Sequence, residues 1–260
     1  MIQLNSGGPN TEGMKRQFVL TVAESKRLIA KAVAALPEVQ LAMKERTVVV
    51  ATGTTNGYVL EELWGRRIDK RCYRSGTTTP DEPEKSPQPQ GEKIPDVVFV
   101  KGKVEPKYDR VTAVKDMKKG DVYIKGANVL DYLGNMVGVL IGGLDGSTVG
   151  NTIGHIIGKQ INLIIPIGLE KLTYEDINEL YTLSSDEDYE GPRLWPLTGT
   201  IITEIEALGI LAGVDAYLYS AGGVAGAEGS VRLLVEGTDE EVEETLKLIK
   251  SIKGEPRYLL

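Results

Sequence analysis

The sequence predicts an α/β fold: a mostly parallel sheet flanked by helices, followed by a smaller C-terminal ferredoxin-like α+β domain. In the first two thirds of the chain, continuous apolar runs alternate with helical patterns, as in a parallel sheet that is covered on both faces. The last third reads strand, helix, strand, strand, helix, strand, which is the order of a split βαβ sandwich. The rhythm changes at the acidic segment near residue 188.

These patterns divide the chain into a flexible N-terminus at 1–18, a Rossmann-like α/β domain at 19–188 and a ferredoxin-like domain at 189–260. Hydrophobic content of 41% and charged content of 26% are those of a soluble globular protein. A net charge of -7 disfavours non-specific binding to nucleic acid. The sequence has no run of about 18 apolar residues, so no membrane span is expected. A single cysteine, Cys72, favours a reducing compartment and predicts a cytoplasmic location.

The first elements are a helix, a short helix and a strand. Thr21 and Glu24 have the spacing of a capping box, and apolar residues then recur at helical spacing as far as Leu36. Pro37 interrupts this pattern, and a shorter helical piece leads into the β-branched run at 47–51, which predicts a buried strand. A small-residue loop and an apolar stripe predict that a helix covers 57–63.

The later elements are predicted from apolar runs between polar turns. Strands are expected at 96–100, 121–124, 136–141, 161–165, 194–197, 216–219, 231–235 and 257–260. Helices are expected after Ser147 and Thr173, at 200–211 and at 238–252. Residues 75–95 are rich in Pro, Thr, Gln, Glu and Lys without apolar periodicity, which predicts a long mobile loop. Long loops inside compact domains are often functional, so a lid is one alternative for this segment.

Three polar, glycine-containing loops fall at predicted strand ends, at 52–57, 125–128 and 142–148. Ligands of parallel sheets bind at the carboxyl ends of the strands. The coincidence of three such loops therefore predicts one ligand pocket more strongly than any single loop does.

The first loop has the composition of an anion site. Gly53 and Gly57 let the backbone approach a ligand closely, and Thr54, Thr55 and Asn56 supply hydroxyl and amide groups. The free N–H groups of the following helix favour a phosphate or carboxylate. The alternative is an ordinary tight strand–helix turn with an Asn or Thr cap.

The predicted ligand-binding residues are Gly53, Thr54, Thr55, Asn56, Gly57, Gly126, Asn128, Gly142, Gly143 and Thr148. The predicted catalytic residues are Lys125, Asp145 and Asp131. Lys125 could pair with an anionic substrate or form a salt bridge to Asp131, and Asp145 is the candidate base. One His and one Cys make a zinc site of the usual type unlikely, and no cofactor is expected. The expected partners are a small anionic metabolite and further copies of the chain in a homo-oligomer, with no nucleic acid and no membrane.

Several segments resemble ribose-5-phosphate isomerase type A. Residues 48–55 resemble its phosphate loop, and 121–131 resemble its strand ending in Asp-Gly-Ala-Asp-Glu. Residues 142–146 fall where its Lys-Gly-Gly-Gly loop lies, and 162–171 resemble the next strand and its Lys-containing turn. The resemblance spans roughly 20–175. It implies membership of the superfamily that also holds CoA transferases and glucosamine-6-phosphate deaminases.

The chain departs from that family at its acidic motif. The isomerase needs a carboxylate base to move a proton between adjacent carbons. The corresponding positions here are Lys125, Gly126, Ala127, Asn128 and Val129. The CoA transferases use a glutamate nucleophile, and no glutamate stands in these loops. Two functions stay open: an isomerase- or transferase-like enzyme for a small phosphorylated or acyl/CoA-type metabolite, or a non-catalytic metabolite-binding or oligomeric interaction protein.

Overall fold

The chain adopts a mixed α/β fold in a computed structural model that describes residues 13–76, 78–79, 81 and 91–258. Within these residues the strands are β1 (Met14–Leu20), β2 (Thr47–Val50), β3 (Val97–Val100), β4 (Lys103–Val104), β5 (Val122–Ile124), β6 (Val129–Asp131), β7 (Met136–Ile141), β8 (Asn162–Pro166), β9 (Arg193–Leu197), β10 (Thr200–Ile202), β11 (Asp215–Ala221) and β12 (Val231–Gly237).

The helices within the same residues are α1 (Val22–Ala35), α2 (Pro37–Glu45), α3 (Thr54–Trp64), α4 (Arg110–Asp116), α5 (Ser147–Gly150), α6 (Ile153–Gly158), α7 (Ile177–Leu183), α8 (Glu204–Ala212) and α9 (Asp239–Ile252). Short 3-10 helices lie at Lys70–Cys72 and Leu169–Lys171. The predicted capping box at the start of α1 is present, because Thr21 accepts from the Glu24 N–H and the Glu24 carboxylate accepts from the Thr21 N–H.

The largest sheet is mixed. Its strand order is β10-β8-β5-β2-β3-β4, in which β10, β8, β5 and β2 run parallel. Strand β3 runs antiparallel to both of its neighbours, β2 and β4. The sequence predicts a mostly parallel sheet, and β3 is the strand that the prediction misplaces in direction. The chain returns to the carboxyl end of β2 before β3 begins, since the Gly53 N–H donates to the Tyr73 carbonyl oxygen at 3.2 Å. A strand that starts at that end must run back beside β2.

Two antiparallel sheets of three strands accompany the mixed sheet. One has the order β6-β7-β9 and the other the order β1-β12-β11. The first is joined to the end of β5 by residues 125–128, and the Asn128 N–H donates to the Gly138 carbonyl oxygen at 2.9 Å. This bond extends the β6–β7 pairing to Asn128, so the hairpin begins directly after the end of β5.

The C-terminal strands pair differently from a ferredoxin-like sandwich. The predicted first strand, β9, pairs with β7, and residues 200–202 form strand β10 beside β8 instead of the first turn of a helix. In both pairs, one strand precedes the predicted boundary at residue 188 and the other follows it. Of the predicted last strand, residues 257–258 are not in a strand and 259–260 lie outside the described residues. The boundary itself stays a prediction.

The third strand of the C-terminal sheet comes from the other end of the chain. Strand β1 pairs with β12 from Met14 opposite Gly237 to Leu20 opposite Val231. The prediction of a flexible N-terminus at 1–18 is therefore wrong for residues 14–18, and residues 1–12 lie outside the described part. Phe18 and Leu20 are buried, and this alternation stabilises the strand. The predicted mobile loop at 75–95 falls largely on residues that the structure does not describe.

The core lies between the mixed sheet and its covering helices. Strand residues Val48, Val49 and Ile124 and helix residues Leu28 and Leu60 are completely buried in one continuous apolar cluster. Among the described helices, none combines the length and the apolar character that crossing a bilayer requires.

Candidate functional site

A cavity of about 430 Å³ lies where strands β2 and β5 end. The loops 52–57 and 125–128 both line it, because parallel neighbours place their carboxyl ends at one sheet edge. Loop 142–148 also lines it, although it follows β7 of an antiparallel sheet. The β6–β7 hairpin begins directly after β5 and brings this third loop to the same cavity. All three loops that the sequence singles out thus contribute to one cavity.

Helix α3 presents its N-terminus to the cavity. The helix begins at Thr54, and its N-cap residue Gly53 has extended backbone and no side chain that could cap the first turn. In the described part of the chain, the N–H groups of Thr54, Thr55 and Asn56 find no acceptor. Free N–H groups at the start of an 11-residue helix carry partial positive charge and are suited to an anion.

The Asn56 side chain links the carboxyl ends of β2 and β5 and has one acceptor atom, Oδ1, available. Its side-chain N–H₂ group donates to the carbonyl oxygens of Ala51 at 2.7 Å and Ile124 at 3.2 Å. Those two acceptors fix which end of the amide is nitrogen. The Asn56 Oδ1 atom is buried and has no partner among the described residues. A buried acceptor without a partner costs free energy, so this oxygen is suited to a ligand N–H or O–H group.

Two lysines bring positive charge to the cavity. The Lys125 Nζ atom donates to the Gly126 carbonyl oxygen at 3.1 Å, and the Lys171 Nζ atom donates to the Ala127 carbonyl oxygen at 2.7 Å. Within the described ranges neither ammonium group forms a salt bridge, and no carboxylate side chain lines the cavity. Neither ammonium group therefore has an ion-pair partner among the described residues.

Burial perturbs both lysines. Desolvation, followed by the positive charges of Arg110 and Lys171, lowers the pKa of Lys125 to about 8, against the opposing effect of Asp96. Desolvation also lowers the pKa of Lys171, while Glu170 and Glu204 act in the opposite direction. A bound anion would favour the charged form of both groups, and this links ligand binding to their protonation.

The candidate base Asp145 does not line the cavity. Its carboxylate is exposed and accepts hydrogen bonds from the Ser147 N–H at 2.9 Å and the Asn151 side chain at 2.9 Å. The Asn151 bond, followed by the Ser147 bond, lowers the pKa of Asp145. A carboxylate that already accepts two hydrogen bonds and has a lowered pKa is a poor proton acceptor. The assignment of Asp145 as the base is therefore unsupported by its geometry.

Three further predicted residues also lie outside the cavity. The Asp131 carboxylate accepts from the Gly134 N–H at 2.7 Å and so closes the β6–β7 turn; it forms no salt bridge with Lys125. Gly57 lies inside α3 against the Lys70 side chain. Gly143 lines a neighbouring cavity beside β9, and its N–H donates to the Ser147 hydroxyl at 2.9 Å.

The other predicted residues come together as expected. The predicted residues that line the cavity are Gly53, Thr54, Thr55, Asn56, Lys125, Gly126, Asn128, Gly142 and Thr148.

Sequence reasoning did not select Lys171, Ser147 or Ser75, which also line the cavity. The signal for Lys171 was available, because it follows β8, the next parallel strand beside β5. The rule that selected the loops after β2 and β5 would have selected it. Ser75 belongs to a segment without apolar periodicity, and no local pattern assigns it to this edge.

A pair of buried carboxyl groups lies beyond Lys171, outside the cavity lining. Glu204 is fully buried and its Oε2 atom accepts from the Leu169 N–H at 2.9 Å. The Glu204 Oε1 and Glu170 Oε2 atoms have no hydrogen-bond partner in the described part of the chain. Burial, and then the negative charge of Glu170, raises the pKa of Glu204 to about 7. Lys26 is buried nearby, and burial lowers its pKa.

No group of three His, Cys, Asp or Glu side chains that could hold a metal occurs among the described residues. Comparisons with protein-family models, with curated proteins and with solved structures find no significant match to this chain. The function is therefore argued from the geometry of the cavity.

Proposed function

We propose that this cavity binds a small anionic metabolite that carries a phosphate, a carboxylate or an acyl/CoA-type group. The observation that carries the proposal is the convergence of two kinds of positive charge on one space. Free N–H groups of the α3 N-terminus and the Lys125 and Lys171 ammonium groups share a cavity that no described carboxylate lines. A buried cation without a protein counter-ion is costly, and such sites are usually functional.

Binding is better supported than isomerisation by a carboxylate base. The isomerase-like mechanism needs a carboxylate beside the substrate, and Asp145 and Asp131 both have structural hydrogen bonds outside the cavity. An isomerase- or transferase-like enzyme and a non-catalytic binding protein both use the anion site described above. They differ in the chemistry available next to it.

The superfamily resemblance stays part of this proposal. In its favour, the segments that resemble the phosphate loop and the Lys-containing turn of ribose-5-phosphate isomerase both contribute residues to the cavity. A Rossmann-like domain at 19–188, a cytoplasmic location and a homo-oligomer likewise stay predictions. Light scattering coupled to size exclusion measures the oligomeric state directly.

The test is thermal unfolding of the full chain in inorganic phosphate against chloride at equal ionic strength. A ligand that binds only the folded state at ten times its Kd should raise Tm by about 3–6 °C. Phosphate also stabilises proteins in general, so the comparison needs variants. We expect the double variant Lys125→Met/Lys171→Met to lose the specific shift, while Lys250→Met, a lysine exposed on α9, keeps it. Equal shifts in all three proteins would overturn the proposal.

A further inference from the structure

The amine of Lys125 lies in an environment that favours bond formation as well as charge pairing. The side chain is only 8% exposed, yet it lines the cavity, and its Nζ atom contacts a backbone carbonyl instead of a carboxylate. We propose that Lys125 forms an imine with a carbonyl group of the bound anion. The substrate class is then small oxo acids and phosphorylated aldehydes or ketones. This inference rests on the proposed anion-binding function.

The carboxylate whose charge acts on Lys125 is already hydrogen-bonded to other groups of the protein. Asp96, whose charge acts on Lys125, is buried and already accepts from Arg110 at 2.5 Å and from the Thr52 N–H at 2.7 Å. Lys171 adds a second ammonium group at the same cavity. Burial, and then the positive charges of Arg110 and Lys171, favour the neutral amine, which is the nucleophilic form.

The neutral fraction is large enough to matter. A lysine with a pKa of about 8 is neutral in roughly one molecule in ten at pH 7, about 300-fold more often than a lysine of ordinary pKa. Desolvation next to other cations is a known way to activate a lysine toward carbonyl compounds. The geometry of the cavity supplies both conditions.

The reaction balances with the groups at hand. The Lys125 lone pair attacks the carbonyl carbon, and a proton passes from nitrogen to the carbonyl oxygen, which gives a carbinolamine. That hydroxyl group then leaves as water with a second proton from the nitrogen, and a carbon–nitrogen double bond remains. Nothing is oxidised or reduced, and no other reactant is needed.

Asn56 supplies the acceptor that the carbinolamine needs. Its Oδ1 atom has no partner among the residues that the structure describes, and a Cβ placed on Gly126 would lie 3.9 Å from it. The Lys125 Nζ atom contacts the carbonyl oxygen of the same Gly126. The amine and the free acceptor therefore flank one glycine, while the α3 N-terminus is available for the anionic end of the substrate. Asn56 is expected to orient the carbinolamine hydroxyl.

The test is reductive trapping. The full chain is incubated with pyruvate, an oxo acid, or with dihydroxyacetone phosphate, a phosphorylated ketone. Borohydride then reduces any imine to a stable amine, and peptide mass spectrometry locates the adduct. We expect at least about tenfold more adduct on Lys125 than on exposed Lys250, because burial favours the neutral, nucleophilic amine at Lys125. Inorganic phosphate should reduce labelling at Lys125 alone.

Two variants keep the inference falsifiable. Lys125→Arg retains the positive charge without a nucleophile of useful pKa, so it should lose the adduct. Lys250→Met replaces an exposed lysine outside the cavity, so it should keep both the adduct on Lys125 and the phosphate-induced rise in Tm. Wild-type labelling spread evenly over the lysines, or no adduct on Lys125 with either probe while phosphate still raises Tm, would overturn the imine and leave anion binding standing. Loss of the phosphate effect in the wild type would instead overturn the proposed function.

Discussion

Two buried groups of charged residues in this molecule are built in opposite ways. In the first, which we name the Arg27 cluster, Arg27 is surrounded by Glu61, Glu62 and Glu255 and forms salt bridges to all three. Lys70 also pairs with Glu61, at 3.2 Å. In the second, the cavity lysines Lys125 and Lys171 bond only to backbone carbonyl oxygens among the described residues.

The contrast separates structural charge from functional charge. Each carboxylate of the Arg27 cluster has a cationic partner, and Arg67 adds further salt bridges to Glu61 and Glu255. The partners come from α1, α3 and the segment after α9, so the cluster links distant parts of the chain. The cavity lysines are desolvated without forming a salt bridge to any of the described residues. Removal of a residue should therefore weaken the fold in the first group and strengthen it in the second.

The largest expected effect is loss of the Arg27 cluster. Arg27→Met leaves Glu61 and Glu255 buried without their main partner, and we expect the free energy of unfolding to fall by about 3–5 kcal/mol. Urea unfolding measures this, with Arg232→Met, an exposed arginine on β12, as the control. A loss below about 1 kcal/mol would mean that the two groups do not differ as described.

The opposite sign is expected at the cavity. Lys125→Met removes a buried charge whose pKa is about 8 in the folded protein, so we expect it to stabilise the fold at pH 7 by about 1–3 kcal/mol. The phosphate-induced rise in Tm should shrink in the same variant. Gain of stability with loss of binding is the behaviour of a functional residue.

The pH dependence gives this prediction a second readout. Between pH 8 and 10.5 the unfolded chain binds more protons at Lys125 than the folded chain does, so the contribution of Lys125 to stability rises with pH in that range. The advantage of Lys125→Met over the wild type should therefore shrink as pH rises from 8 to 10.5. A constant difference across that range would contradict the assignment.

The Glu204 carboxyl group shares one feature with the Arg27 cluster and one with the cavity lysines. It is buried like the Arg27 cluster, but Glu170 repels it, and its pKa is raised to about 7. Between pH 4.5 and 7 the folded protein holds the proton that the unfolded chain releases, so this group lowers stability as pH rises through that window. Carboxyl groups with a lowered pKa, such as Glu61, titrate below this pH window.

Glu204→Gln should remove this slope. The amide retains an acceptor for the Leu169 N–H and offers a donor to Glu170, so we expect stability close to wild type at pH 5 and a gain of about 1–3 kcal/mol at pH 8. Urea titrations at both pH values measure this, with exposed Glu243→Gln as the control. A loss of stability at pH 8 would show that the Glu204 charge is favourable.

Much of the cavity could be predicted from local sequence, because local patterns determine where strands end. The β-branched run before Thr52 and the apolar stripe after Gly57 fix a strand–loop–helix unit, and Lys125 follows a second such run. The pairing of distant segments has no local signal. Strand β1 lies more than 200 residues before its partner β12, and β9 resembles the start of a sandwich until its pairing with β7 is known.

The orientation and hydrogen-bond partners of individual side chains could not be predicted from the sequence. Asp145 lies in a loop that reaches the cavity, and its sequence position does not reveal that Ser147 and Asn151 occupy its carboxylate. Lys171 was overlooked because its turn has Ile167 and Leu169 on either side of Gly168, whereas the selected loops consist mostly of small and polar residues. Composition identified polar loops, whereas the geometry of individual hydrogen bonds decided which polar groups remain free for a ligand.

The smallest expected effect tests that distinction directly. Asp145→Asn keeps an acceptor for the Ser147 N–H, so we expect a loss of about 0.5 kcal/mol or less in stability and an unchanged phosphate-induced rise in Tm. Asn56→Leu, the paired variant inside the cavity, should reduce that rise, because it removes a polar group that lines the site. A larger effect of Asp145→Asn than of Asn56→Leu on phosphate binding would contradict this prediction. The Asp145 carboxylate would then contribute to ligand binding, as the cavity lysines are proposed to do.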